Sequence, residues 1–336
     1  MATLSSTYLN LIDVHKQNDP RTGEIIEVLK QQNPILDDAV AMECNMGAIH
    51  RHGIRTGLPT PAWGRLYQGI PQSKSTIQQV DDTTGFLEAR SGVDTRLLKL
   101  SKNPAALRLG EAWAHMEAMN QEMARGLFYH DTATTPEKFK GLAARYGVLG
   151  GDGAGNQIID AGGQGSDNTS IWFVTWGDHA THLLYPEGTK AGIDRQDKGE
   201  QRVTDANGDA YYVKEETFEW HIGLAVKDWR YNARVANLDV SDVLAGTVDV
   251  HKWMLRAYYK LQSRRLDSKS SRMAIYMNTT ILQALDELSS GVGSTGIRSN
   301  VLRLTKQELE GKEVTMFRGI PIRETDAILN TEARVV

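Results

Sequence analysis

An α+β fold with two extended limbs is the class this sequence predicts, on three observations. A proline-punctuated ribbon with no core of its own fills residues 53–101. A helix of about 22 residues follows it, read from apolar recurrence at three- and four-residue steps. Strongly alternating strands then occupy much of 169–235, and helices and strands interleave to the C-terminus.

Bulk properties permit such a body. The chain has 336 residues, enough for one large domain or two ordinary ones with a sizeable buried core. Its apolar and charged fractions are those of a globular protein, which excludes wholesale disorder. The formal net charge is -4. A protein that wraps nucleic acid tightly carries a basic excess to neutralise phosphates, so this one can lie near nucleic acid but is not built to grip it. The one cysteine, Cys44, cannot form an internal disulfide and reads as a small buried apolar residue. The start MATLSSTYLNLIDVHKQ lacks the basic opening and apolar core of a signal peptide. No run approaches the ~18 apolar residues of a membrane span. A reducing cytosol is the expected compartment, with no membrane partner.

Residues 1–52 read as an arm with short helical pieces. TGEIIEVLKQQN places Ile25, Ile26 and Leu29 on one helical face, and Asn33-Pro34 stops that helix. Its apolar content is too thin for an independent core, so the arm must lie on something else. In the ribbon, Pro59, Pro61 and Pro71 rule out long helix. Trp63, Arg65 and Tyr67 alternate as on a strand, QGIPQSKS forms a turn, and Thr76–Val80 returns. An isolated ribbon is marginal in water, so this one is expected to dock outside its own fold. The long helix spans 103–126, with Asn103 as cap and Pro104 in the first turn. Leu109, Trp113, Met116, Met119, Met123 and Leu127 form its apolar stripe, and Gly126 marks its end.

Residues 149–168 read as a glycine-rich loop. Ile171–Gly177 is a bulky strand, and Asn207-Gly208 between strand-like flanks is a hairpin signal. Phe218, Trp220, Ile222, Leu224 and Val226 alternate strictly. The parity flips near Asp228, as a bulge or kink would produce. A helix capped by Ser241 is expected to run to about Arg264, a position its late Lys260, Arg264 and Arg265 favour. RMAIYMN is a short buried strand, Asn278 caps TTILQALDELSS, and VTMFRGIPIRETDAIL closes with strand, turn and strand.

No motif for bond chemistry survives inspection. The glycine-rich segment lacks the lysine of a Walker A loop and the spacing of a dinucleotide fingerprint. GGQGSD matches the start of a calcium-binding nonapeptide, but that repeat works in tandem and here stands alone. DANGD lacks the later ligands of an EF-hand. Asp178, His179 and His182 carry metal-ligand chemistry but lack a third placed histidine and a neighbouring glutamate base. His50 and His52 alternate on an extended segment and are expected to face solvent together. The expectation is no enzyme, no cofactor and no resident metal.

The segments GLPTPAW, QGIPQSKSTIQQVDDTTGFLEARS, MNQEMARGLFYHDTATTPEKFKGLAARY, AGGQGSDNTSIWFVTWG and HIGLAVKDWRYNARVANLD resemble major capsid proteins of short-tailed bacteriophages of the epsilon-fifteen type. The resemblance runs in order from about residue 20 to about residue 330, and is weakest over 1–20 and 291–312. It implies the Johnson fold (Hong Kong 97-type), shared by tailed phages and herpesviruses. On that fold, 1–52 is the N-terminal arm and 53–101 the E-loop. Residues 102–240 form the P domain, with its spine helix at 103–126 and β segments at 169–235. Residues 241–336 form the A domain. The β-rich stretch precedes the A-domain segment, whereas comparable strands come last in the best-known member, which implies a permuted element order.

The resemblance further implies a virion protein, assembled in the host bacterial cytoplasm as hexamers and pentamers of an icosahedral shell around double-stranded DNA. Separate scaffold, decoration and portal proteins follow from it too. Ribbon residues Trp63, Arg65, Tyr67 and Lys74 are the expected subunit contacts. Some capsids of this fold cross-link through an E-loop lysine. Lys74 sits near the ribbon tip, but the sequence shows no activating environment, so a non-covalent shell is expected. Two alternatives stand beside this reading. One is a nanocompartment shell of the same fold enclosing protein cargo. The other is a zinc-dependent hydrolase using Asp178, His179 and His182.

Overall fold

A computed structural model describes residues 31–151, 153–205, 207–262, 271–290, 305–309 and 312–336. A short helix, α1 (Ile35–Asp38), leads to strands β1 (Ala41–Glu43), β2 (Ile49–Gly57) and the long β3 (Thr76–Asp94). Helices α2 (Thr95–Leu100), α3 (Pro104–Tyr129) and α4 (Leu142–Arg145) follow. Next come β4 (Ile158–Asp160), β5 (Asn168–Trp176), β6 (Thr181–Tyr185), β7 (Ile193–Thr204), β8 (Ala210–Val226) and β9 (Ala233–Asp239). Helices α5 (Val240–Leu244) and α6 (Val250–Lys260), strand β10 (Arg272–Met277) and helix α7 (Thr279–Ser290) precede the closing strands β11 (Thr305–Leu309), β12 (Lys312–Phe317) and β13 (Ile320–Glu324).

Strand β5 is the axis of the molecule. Every one of its residues is buried, which requires cover on both faces of the sheet. Side chains alternate along a strand, and here the alternation separates two cores. Trp172, Val174 and Trp176 point to one side, where they meet Leu127 and Phe128 of α3, Leu142 of α4, Tyr146 and Tyr276. Ile171 and Phe173 point to the other, against Val243 of α5, Met254 and Ala257 of α6, and Ile281 and Leu285 of α7. The second core therefore draws on residues from both sides of position 240. Around β5 the sheet runs in the order β11-β12-β13-β10-β5-β6-β8-β3-β2, with β9 also pairing β5 and β7 pairing β8.

Several sequence expectations appear as written. The Asn103 side chain accepts a hydrogen bond from the Ala106 amide at 3.2 Å, capping α3. Asn278 does the same for α7 through the Thr280 amide at 3.0 Å. The Asn207-Gly208 hairpin joins β7 to β8, with Gly208 at φ +92°. Cys44 is buried beside Leu184 and Ala225.

Other expectations are corrected. Helix α3 does not end at Gly126 but runs to Tyr129, because Gly126 lies inside its last turns where an added Cβ would strike the His130 ring. The apolar stripe holds over Met119, Met123 and Leu127, but Leu109 and Trp113 are exposed, and Leu107 and Ala112 are buried instead. Of the two readings of the parity flip near Asp228, bulge or kink, the structure shows the kink. The chain leaves β8 through a short 3-10 turn, Trp229–Tyr231, and enters a new strand, β9. The single helix expected from Ser241 is two: α5 stops at Ala245-Gly246, and α6 starts afresh with Asp249 capping the Lys252 amide. The strand reading of Trp63, Arg65 and Tyr67 also fails. The ribbon's strands are β2 and β3, and those three residues lie in the irregular tip between them. The expected helix around Ile25, Ile26 and Leu29 lies outside the described residues, as do Arg264 and Arg265.

The described part of the arm is fastened to the body. Asp38 of α1 accepts hydrogen bonds from the Tyr276 hydroxyl at 2.9 Å and from Arg323 Nη2 at 3.0 Å. Ile35 is fully buried in the first core. A thin apolar segment thus stays ordered by borrowing a core from elements far along the chain.

Candidate subunit interface

The ribbon is built by β2 and β3 in antiparallel register, with His50 opposite Asp82 and Arg55 opposite Ile77. Toward the body, β3 continues for 19 residues in all and pairs with β8 along Thr84–Asp94. At ~3.3 Å per residue it is a strand of about 60 Å, anchored at one end only. An ion pair between Arg51 and Asp81 at 2.7 Å clamps the two strands near the root. Beyond Gly57 regular pairing stops, because Pro59, Pro61 and Pro71 cannot donate to a ladder.

The tip is closed by few bonds. Ser73 Oγ donates to the Thr60 carbonyl at 2.9 Å, and the Gln68 amide donates to Arg65 O at 3.3 Å. Tyr67 sits in the left-handed region at φ +64°, which is unusual for a bulky residue. Large apolar side chains crowd this short stretch and none has a core. Trp63 is 99% exposed, Leu66 90%, Tyr67 107%, and Leu58, Ile70 and Ile77 are exposed as well. Isolated exposed leucines are ordinary, but so many exposed large apolar residues within one short stretch make the tip a candidate contact surface. Arg65 and Lys74 are exposed in the same tip. The structure thus brings Trp63, Arg65, Tyr67 and Lys74 together at one end of the ribbon. Sequence reading missed Leu58, Leu66 and Ile70, although their position within the proline-rich stretch carried the signal.

A second apolar patch lies on the body. Leu109 and Trp113, one helical turn apart on α3, are exposed. The adjoining face of α3 packs on the sheet, where Ala112 and Met119 meet Phe218 of β8. Arg108 holds this end of the helix to the β7–β8 hairpin, reaching Asp197 at 2.9 Å and pairing with the buried Glu216, which also takes Arg195 at 2.7 Å.

The histidines fall otherwise than the sequence suggested. His50 and His52 do not face solvent together. The His50 residue and the His52 side chain are almost fully buried at the ribbon's root. His182 of β6 is completely buried and meets His50 edge to face, ring centres 5.5 Å apart. His179 is exposed, while Asp178 is taken by Lys227 at 2.9 Å. Asp178, His179 and His182 therefore do not converge. Among the described residues no group of three or more His, Cys, Asp or Glu is placed to hold a metal ion. No helix among them is long and apolar enough to cross a membrane.

Known proteins place this geometry. A family model described as major capsid protein GP7 matches residues 17–336. The cryo-electron microscopy structure of bacteriophage Epsilon15 is similar over 100% of this chain and 99% of that one, at 32% identity and a TM-score of 0.75. The capsid of bacteriophage JBD30 is similar over 97% of this chain and 96% of that one, at 10% identity and a TM-score of 0.48. The holo-SrpI encapsulin complex of Synechococcus elongatus is similar over 68% and 96%, at 11% identity and a TM-score of 0.42. The last two likenesses are too loose to argue from. No curated protein sequence matches.

Proposed function

Because the chain belongs to the major capsid protein GP7 family, we propose that it closes a phage shell by seating its ribbon tip on a neighbouring subunit. It is a shell-forming capsid protein, and its α+β body is the tailed-phage capsid fold. The observation that carries the ribbon reading is the coreless tip. Trp63, Leu66, Tyr67 and Ile70 are held out at the end of a strand pair fixed at one end. Burying one tryptophan of ~200 Å² on a partner contributes about 4–5 kcal/mol before ordering of the tip is subtracted. Several such contacts per subunit add across a closed shell.

The receiving face in this reading is the Leu109–Trp113 patch on α3. Tip and patch are different surfaces, so the contact is heterologous. Such contacts propagate around rings and close when the rotation permits. Hexamers and pentamers are the rings it would build. The arm over 1–52, with Trp63, Arg65, Tyr67 and Lys74 of the 53–101 limb as subunit contacts, completes this organisation. In the body, β4, β5 and β9 give residues to both cores, so they join the proposed P domain of 102–240 to the proposed A domain of 241–336.

The shell is read as enclosing double-stranded DNA without sequence preference, and the mild negative charge suits a container that must release it. Assembly in the bacterial cytoplasm with separate scaffold, decoration and portal proteins belongs to the same reading, as does the lack of an enzymatic role. The test is the double variant Trp63→Ala/Tyr67→Ala. It is expected to fold with unchanged circular dichroism and to lose shell assembly by sedimentation. Normal shells from that variant would refute the ribbon reading. Nucleic acid extracted from native particles separates a DNA container from a protein-filled compartment.

A further inference from the structure

Three imidazoles are buried together where the ribbon joins the body, and nothing in the shell-building role uses them. His50 and His52 lie on β2, and His182 on β6. His50 sits 5.5 Å from His182 and 6.1 Å from His52, centre to centre. Among the described residues, Nδ1 of His50, both ring nitrogens of His52 and both of His182 have no hydrogen-bond partner. Buried polar atoms are almost always paired, so this concentration at one place is exceptional.

The charges around the cluster cancel before any histidine ionises. Asp82 of β3 is buried and lies 3.8 Å from His52 Nδ1, but its other oxygen already takes Arg145 of α4 at 2.7 Å. Asp178, in the loop before β6, already takes Lys227 from the end of β8 at 2.9 Å. His179 beside it is exposed. Asp82 Oδ2, which has no hydrogen-bond partner among the described residues, can meet a proton on His52, but one added at His50 or His182 is a buried charge with no free counter-charge beside it, which folded proteins avoid by opening or by staying neutral.

We infer that the root of the ribbon is an acid-sensitive latch, closed while His50, His52 and His182 are neutral and released locally when they are protonated. The elements that would move lie at the edges of the sheet. β1 has 3 residues on the edge of β6, and among the described strands β2 is an edge strand that pairs with β3. β6, by contrast, is tied into the sheet through β8 and β5. Lifting the β1–β2 segment off β6 exposes His50 and His182 to water and lets them charge, at the low end of local stability.

The sign is consistent at all three positions. Burial lowers His50 and His52 below their ordinary 6.5, and lowers His182 to about 3. The open state then binds more protons than the closed one below pH 6.5. Closure is fully present above that value and is lost progressively as pH falls toward the lowered values. This inference does not rest on the shell reading, because it concerns the root within one subunit.

Cys44 reports the opening. It lies between β1 and β2, buried against Leu184 and Ala225, its amide bonded to the Tyr185 carbonyl at 2.9 Å. The experiment labels the full chain with a dipyridyl disulfide, which stays reactive in acid because its own nitrogens protonate. Near-ultraviolet circular dichroism is followed in parallel. Labelling corrected for the free-thiol rate is expected to accelerate up to about tenfold per pH unit for each histidine that ionises, between pH ~6.5 and ~5, while the circular dichroism holds. His182→Gln and His50→Gln should each flatten the slope, and exposed His179→Gln should not. A rate independent of pH, a slope unchanged in both root variants, or labelling that coincides with global loss of signal would each overturn the latch. Should the root variants fail to fold, the wild-type comparison of thiol exposure with circular dichroism still decides.

Discussion

Arg234 Nη2 lies 2.8 Å from Glu332 Oε2 with both side chains almost fully buried, so the C-terminal tail is stapled to strand β9. Glu332 also accepts from the Tyr129 and Ser170 hydroxyls, drawing helix α3 and strand β5 to the same carboxylate. Removing one partner of a buried pair leaves an uncompensated charge. Glu332→Ala is therefore expected to cost about 3–5 kcal/mol, read from the urea midpoint of the unassembled chain. An apolar pair at 234 and 332 together should recover most of that loss, and a double variant no better than Glu332→Ala would show that the staple is not the cause.

Two glycines should respond oppositely to the same methyl group. At Gly141 an added Cβ would lie 2.6 Å from the Gly126 carbonyl and 3.0 Å from the His130 amide, both rigid backbone. Gly141→Ala is expected to destabilise by about 1–3 kcal/mol. Gly110 is exposed in α3 with nothing near its Cβ position. Gly110→Ala should stabilise by about 0.5–1 kcal/mol. Thermal unfolding of the two variants side by side checks both signs.

Trp113 offers a way to separate folding from assembly. Its side chain is exposed on α3 and outside the core clusters. Trp113→Ala should change subunit stability by no more than about 0.5 kcal/mol and reduce the yield of shells by sedimentation. Full yield would remove the α3 patch as the receiving face.

Burial pushes the Cys44 thiol up to about 11, with Glu43 adding to the effect. At neutral pH only about one thiol in ten thousand is then ionised, and the thiolate is the reactive form. Intact mass after maleimide treatment is expected to show no adduct at pH ~7 in the folded chain and full addition in denaturant.

Much of this organisation was legible in residue order. The Asn103-Pro104 start of α3, the Asn207-Gly208 hairpin and the Asn278 cap are local devices, and local chemistry decides them. The coreless ribbon was legible too, because prolines and exposed aromatics announce themselves without a fold. What failed depended on distant partners. Leu109 and Trp113 fit the helical period, but at this end of α3 the residues that reach the sheet are Ala112 and Met119, which meet Phe218 of β8. Trp229 and Tyr231 continued an alternation that the chain breaks by turning to build β9 against β5. His50 and His52 looked solvent-facing because nothing in the local sequence reveals His182, 130 or more positions later, closing over them.

In the proposed shell, the tip of one subunit's ribbon is buried by another subunit. A side-chain-resolution cryo-electron microscopy reconstruction of the particles formed by this chain tests it most directly. Density for Trp63 and Tyr67 is expected to pack against a neighbouring copy, beside its Leu109 and Trp113. Closed shells in which those two rings stand free in solvent would contradict it.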